Sequence, residues 1–276
     1  VLETIGSRGA RVMELASLGA PIAPGFIISN ELLGEIVEEP SIAYDLYKEP
    51  IARMEQILEK RFNDKENPLL VKVAESPTLN MVRTLSSIHN IGLGDHTVDG
   101  FGNFVGEGFA YHEYGNLVQK IIELELLTDV EQSRAKKLQD YRDRLKRATN
   151  EKTVKKATVQ KALDSGRELF PDEIYTNTHE QLMYVVKIFH TLFQASTSSV
   201  DSSLVVQGMV FGNFGKNSGF GSFYTHDIIE GEKTISGEYF EQAFDAREKE
   251  GVPLEQASKG LYKNLSRIGT ELEKHF

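Results

Sequence analysis

With 276 residues, 40% of them apolar and 26% charged, the chain is long enough for one large domain or two modest ones and has the composition of a globular protein with a buried core. Its net charge of −10 excludes an extended nucleic-acid surface, which needs clustered lysine and arginine, while leaving room for a local basic cleft. There is no cysteine for disulfide or thiolate chemistry, no apolar run near the roughly 20 residues that span a bilayer, and no signal-peptide pattern, so we expect a cytoplasmic protein without membrane attachment.

The chain opens at Val1 rather than Met and ends in Leu272-Glu273-Lys274-His275-Phe276, still in a helical pattern, which suggests a piece of something longer. Its first motif is Gly6-Ser7-Arg8-Gly9-Ala10, a glycine-flanked turn that sets a cation beside a helix N-terminus. Free backbone N–H groups, a helix dipole and a fixed positive charge together favour a bound anion, most often phosphate. An ordinary loop before an ordinary helix fits the same residues.

Gly25-Phe26-Ile27-Ile28 reads as a short buried strand, and Ser29 or Asn30 caps a helix through Leu32, Leu33, Ile36 and Val37 that Pro40 closes. Residues 41–62 carry Leu46, Ile51, Met54, Ile57, Leu58 and Phe62 at helical spacing. After the Asn67-Pro68 turn, residues 69–74 read as a strand in which Lys72 and Ala74 share the face opposite Val71 and Val73. Residues 76–95 read as a turn, a short helix and the run Asn90-Ile91-Gly92-Leu93-Gly94-Asp95. The glycine-rich residues 92–108 are expected to be a surface loop. No apolar strand leads directly into them, and their spacing does not match a dinucleotide fingerprint.

Residues 109–200 read as helical almost throughout. Thr128-Asp129-Val130-Glu131 and Thr178-His179-Glu180-Gln181 have the form of capping boxes, and the second opens an amphipathic helix with Leu182, Val185, Val186, Phe189, Leu192 and Phe193 on one face. The period then changes to two. Residues 203–212 form an expected strand that returns as Ser222-Phe223-Tyr224-Thr225 in a long-looped hairpin, followed by a strand at 234–240 and a helix at 253–276 with Leu261, Leu265, Ile268 and Leu272 inward. There is no internal repeat and no low-complexity linker. The seven histidines show no metal-ligand spacing, and Ser198-Ser199 and Ser202-Ser203 lie in no nucleophile motif, so neither an intact catalytic set nor a metal set is expected.

Several of these blocks together resemble the N-terminal nucleotide-binding domain of pyruvate phosphate dikinase, an ATP-grasp family that includes phosphoenolpyruvate synthase. The opening resembles the family's Gly-Gly-Lys-Gly-Ala-Asn-Leu element and its Leu-Gly-x-Pro-x-Pro-Pro-Gly-Phe continuation. Residues 67–95, Phe109-Ala110-Tyr111, residues 206–213 and 218–221, Gly231-Glu232-Lys233 with Gly237-Glu238-Tyr239, and the terminal Leu-Glu-Lys-His-Phe follow in family order. The resemblance implies an α+β, ATP-grasp-like domain with a helical insert: an N-terminal α/β part at 1–108, a helical part at 109–200, and a β-hairpin region with the C-terminal helix at 201–276. It further implies ATP and Mg²⁺ as ligands, and phosphoryl transfer to a histidine on a separate domain that serves pyruvate and phosphoenolpyruvate. Phosphohistidine and pyruvate-binding domains of a longer protein would then be partners.

The departures fall on the groups that this chemistry needs. The family's glycine-loop lysine falls at Arg8, and its strand arginine at Ala74. Its flexible Met-Pro-Gly-Met becomes Met81-Val82-Arg83-Thr84, and its Thr-Arg-Asn-Pro becomes Thr225-His226-Asp227-Ile228. The family's acidic metal strand is expected beyond residue 276. Lys72, two residues from Ala74, is either a replacement for the lost arginine or a surface lysine. By the same resemblance Gln207, Gly208, Met209 and Phe211 lie along the adenine pocket, with Gln207, Met209 and Phe211 expected on one strand face; core packing is the competing role for Met209. Two functions stay open: a nucleotide-binding domain of a dikinase-like phosphotransferase that is inactive as this chain alone, or a catalytically degenerate module that binds a nucleotide or a protein partner.

Overall fold

The computed structural model of the chain describes residues 2–78, 85–195, 202–226, 231–244 and 249–276. These form two units, one from Val1–Met13 with Ala23–Met209 and the other from Glu14–Ile22 with Val210–Phe276. Helix α1 (Leu2–Ser17), within which the chain passes from the first unit to the second, is kinked at Gly6, where φ is 67° and ψ 174°.

The first unit continues with β1 (Gly25–Ile28) and α2 (Asn30–Glu38), which is capped by Ser29: its Oγ accepts the Leu32 N–H at 3.2 Å. Pro40 does not close α2. It opens α3 (Pro40–Leu58), because a proline in the first turn of a helix loses no hydrogen bond. Helix α3 buries Ala43, Tyr47, Ile51 and Met54, whereas Leu46 and Ile57, expected inward, are exposed. The buried seam runs at spacings of three and four and shares Ile51 and Met54 with the apolar pattern, but its first half runs through the smaller Ala43 and the more polar Tyr47.

Strand β2 (Val71–Pro77) is followed by β3 (Ile88–Ile91), so part of the short helix expected within 76–95 is a strand instead. Pairing with β2 outweighs local propensity there. Met81-Val82-Arg83-Thr84 lie outside the described residues. The glycine-rich stretch is also not a surface loop: it carries α4 (Val98–Val105) and leads into α5 (Glu107–Glu125). A Cβ on Gly100 would stand 2.0 Å from the Lys65 carbonyl oxygen, so this glycine serves close packing rather than backbone freedom.

Helix α5 buries Ala110, Tyr114, Leu117, Val118, Ile121 and Ile122, apolar on most of its circumference because other helices and the sheet surround it. The segment continues as α6 (Gln132–Thr149), α7 (Lys156–Asp164), the short α8 (Glu173–Thr176) and α9 (Thr178–Ala195). Neither expected capping box forms. Thr128 Oγ1 donates to the Glu125 carbonyl at the end of α5, and the Asn177 side chain caps α9 by accepting the N–H groups of His179 and Glu180 at 3.0 and 3.3 Å. Gln181 is released to tie α9 to the β3 turn, accepting the Gly92 N–H and donating to Leu93 O. Of the apolar face expected for α9, Leu182, Val185, Val186 and Phe189 are buried, and Leu192 and Phe193 are half-buried.

Strand β4 (Ser202–Gly208) completes a four-stranded antiparallel sheet in the order β1-β4-β2-β3. β4 is buried from end to end, which explains its unbroken apolar centre. The hairpin expected between residues 203–212 and 222–225 does not form. β4 pairs with β1 and β2, while β5 (Gly219–Tyr224) of the second unit pairs with β6 (Ser236–Glu241), and β6 with β7 (Val252–Pro253). Helix α10 (Lys259–His275) ends this unit, capped by Ser258 and with Leu261 and Leu265 facing Phe220 and Phe223. Asp227 and Ile228 are outside the described residues, as are Ser198 and Ser199.

Candidate functional site

Strand register sets one predicted cation, Lys72, beside Gln207 in the first unit. Lys72 on β2 stands directly opposite Gln207 on β4, which stands opposite Gly25 on β1, so these residues share one sheet face. On the other side, β3 bulges. Val71 pairs with Ile91 and Val73 with Ile88, leaving the two residues His89 and Asn90 against the single Lys72.

Helix α1 adds Arg8 to this row. A Cβ on Gly6 would lie 2.0 Å from the Ser76 carbonyl oxygen, so only glycine lets the turn press onto β2. Ser76 Oγ accepts the Gly9 N–H at 2.8 Å and donates to Ile5 O at 2.7 Å, and Ser203 Oγ donates to the same Ile5 carbonyl at 2.6 Å. These hydroxyls pin the turn to the ends of β2 and β4. They also occupy the Gly9 N–H, one of the donors that a phosphate-binding turn would present.

Arg8 Nη1 donates to Ser87 Oγ, just before β3, at 3.2 Å. The half-buried Lys72 side chain forms no hydrogen bond or ion pair with any described residue, and Arg8 forms no ion pair with one. Burial, and secondarily the Arg8 charge, push the Lys72 pKa below the ordinary lysine value. Two neighbouring cations without a described counter-ion make a site where an anion relieves both desolvation and repulsion.

The other predicted site residues differ in their freedom. Gln207 is 8% exposed and its Nε2 donates to Ala23 O at 2.9 Å. The Gly208 and Met209 N–H groups are bonded to Pro24 O and Leu70 O, and the Met209 sulfur accepts the Asn90 N–H at 3.0 Å. β4 ends at Gly208, so the expected strand alternation through Met209 and Phe211 stops short. Phe211 belongs to the second unit, where it stacks on Phe244 at 5.8 Å. Ala74 is fully buried opposite Val205 and offers no polar group. His226, at the place of a family arginine, faces Glu273 of α10 at 2.7 Å. The sequence reading missed His89, because only the bulge sets it beside Lys72.

Among the described residues no three His, Asp or Glu side chains converge as a metal site, and no helix is long and apolar enough to cross a membrane. Nearby carboxylates are engaged: Glu75 accepts from Ser202 Oγ and the Leu85 N–H, and Glu113 from Asn90 Nδ2.

Fold and site define an α+β protein with a cationic sheet face beside a pinned glycine turn. No protein-family model matches the chain. It is a divergent relative of pyruvate, phosphate dikinases, as the motifs implied. It is 30% identical over 278 residues to pyruvate, phosphate dikinase of Treponema pallidum, covering 98% of this chain and 30% of that protein. With the Clostridium symbiosum protein of the same name it shares 30% identity over 308 residues, covering 99% of this chain and 34% of the relative. For the chloroplastic protein of Flaveria trinervia the values are 26% over 301 residues, 99% and 31%. The chain thus spans about a third of the length of the curated relatives it matches.

Proposed function

We propose that this chain is the ATP-binding part of a dikinase-like phosphotransferase, an ATP-grasp unit that holds the polyphosphate of a nucleotide against Arg8 and Lys72. The observation that carries this reading is the closeness of Lys72, on the sheet, to Arg8, on helix α1, with no ion pair from either to a described residue. Lys72 then takes over the duty of the arginine lost at Ala74, one side-chain repeat along the same strand face. Arg8 offers a planar fork where relatives use a point charge, which suits two phosphate oxygens at once. Gln207, Gly208 and Met209 are assigned to the base end by the resemblance.

ATP is thus held by cations, and Mg²⁺ bound with it would neutralise part of the polyphosphate charge. With alanine at position 74, phosphoryl transfer by this chain alone is expected to be impaired. Its partners would be a phosphohistidine and a pyruvate-binding domain, and its compartment the cytoplasm.

Isothermal titration with ATP, with and without Mg²⁺, tests the reading. A charge-assisted hydrogen bond contributes about 1.5–3 kcal/mol, so Lys72→Ala should weaken binding by roughly ten- to a hundredfold. Unchanged affinity in Lys72→Ala would remove lysine from the site. No heat at millimolar ATP would overturn nucleotide binding and leave a partner-binding module on the same fold.

A further inference from the structure

We propose that His89 is a third cation of the anion-binding face, one that becomes charged only when a polyphosphate is bound, so that the chain takes up a proton with its ligand. This rests on the nucleotide reading of the Arg8–Lys72 face and adds to it a dependence on pH.

The bulge in β3 is the geometric basis. Because two residues of β3 stand against one of β2, His89 comes level with Lys72 at the edge of the sheet. Its neighbour Asn90 takes the positive φ of 64° that the bulge requires and turns its amide to Glu113. His89 is exposed, whereas Asn90 is buried. Across the sheet the row reads Gln207, Lys72, His89, with Arg8 added from α1 through Ser87, itself two residues from His89.

The charges around the imidazole are Lys72 from β2 and Glu113 and Lys120 from α5, with Arg8 behind Lys72. Partial burial of the ring lowers its pKa from the ordinary histidine value, and Lys72 and Lys120 act in the same direction against Glu113. Glu113 is no free counter-ion: it accepts from Asn90 Nδ2, and His112 Nδ1 lies 2.9 Å from its other oxygen. Without ligand, burial and the two lysines therefore favour the neutral ring.

A polyphosphate bound to Arg8 and Lys72 replaces a net positive field at His89 by a net negative one and supplies an acceptor for an imidazolium N–H. The histidine pKa is then higher in the complex than in the free chain. Linkage fixes the sign: affinity rises as pH falls through the interval between the two values, by about tenfold for each unit of pKa difference.

The test is titration calorimetry with ATP and with inorganic tripolyphosphate at pH 6, 7 and 8, in two buffers of different ionisation enthalpy. It compares the chain with His89→Gln, so that the ligand's own ionisation cancels. Proton NMR of the His89 ring in the unmodified chain, with and without tripolyphosphate, needs no variant. The expected results are a proton uptake greater than that of His89→Gln, an affinity advantage over His89→Gln that grows about tenfold per unit of pKa difference between pH 8 and 6, and a ring pKa that rises on binding. Equal pH dependence in both proteins, or an unmoved ring pKa in the complex, overturns the proposal while leaving nucleotide binding intact. Tripolyphosphate binding with proton uptake but no ATP binding overturns the nucleotide reading and supports the role of His89. No binding of either ligand overturns both.

Discussion

Ser76→Ala probes how Arg8 is held, and its cost follows from the hydrogen bonds at that residue. Ser76 is fully buried, and its hydroxyl both accepts the Gly9 N–H and donates to Ile5 O. Removing it leaves Ile5 O with Ser203 Oγ as a partner, so the carbonyl stays satisfied. The Gly9 N–H loses the hydroxyl and gains no side chain in its place. An orphaned buried donor costs about 1–3 kcal/mol, which at an m-value near 2 kcal/mol/M moves a urea midpoint by about 0.5–1.5 M. Ser203→Ala makes the control. Its hydroxyl donates to Ile5 O and Ser76 O, and Ile5 O keeps Ser76 Oγ, so we expect a cost of about 0.5–1.5 kcal/mol. The assay is urea unfolding of the three proteins followed by ATP titration, where Ser76→Ala should also weaken binding through a loosened Arg8. A Ser203→Ala midpoint equal to or below that of Ser76→Ala would refute the assignment of the Gly9 bond as the larger contribution.

Gly100→Ala should destabilise by about 1–3 kcal/mol in thermal unfolding, because the new Cβ meets the Lys65 carbonyl at 2.0 Å; a residue in an open loop would change stability by only a few tenths. Lys60 has its pKa pushed down to about 8 by burial, against an ordinary 10.5. Between those values the unfolded chain binds more protons than the folded one, so stability should rise with pH from about 8 to 10.5, and Lys60→Met should flatten that rise in pH-dependent unfolding.

The legible parts of this chain are those whose signal is local. Helix α9 shows its buried face because Leu182, Val185, Val186 and Phe189 recur with the period of a single helix. The chain's kinship was equally legible, since motifs in the right order survive divergence of their chemical groups. By contrast, the same glycines that permit a loop also permit close packing, so residues 98–108 could be assigned only once the Lys65 carbonyl was seen against Gly100. The capping boxes failed for a related reason: Thr128 had a nearer acceptor in Glu125 O, and Gln181 a partner 89 residues away in Gly92.

For the candidate site, the residues by themselves determined that Lys72 and Ala74 share a strand face, because strand alternation is a property of one segment, whereas Arg8, expected in a glycine-flanked turn, lies in helix α1 just after its kink at Gly6. Only tertiary structure decided what those groups meet. Pairing partners are chosen by burial across long separations, so the strand that carries Gln207 became the neighbour of Lys72 rather than half of a hairpin. One extra residue in β3 then placed His89 beside both. A bulge is a mismatch between two strands, and neither strand's sequence contains it alone.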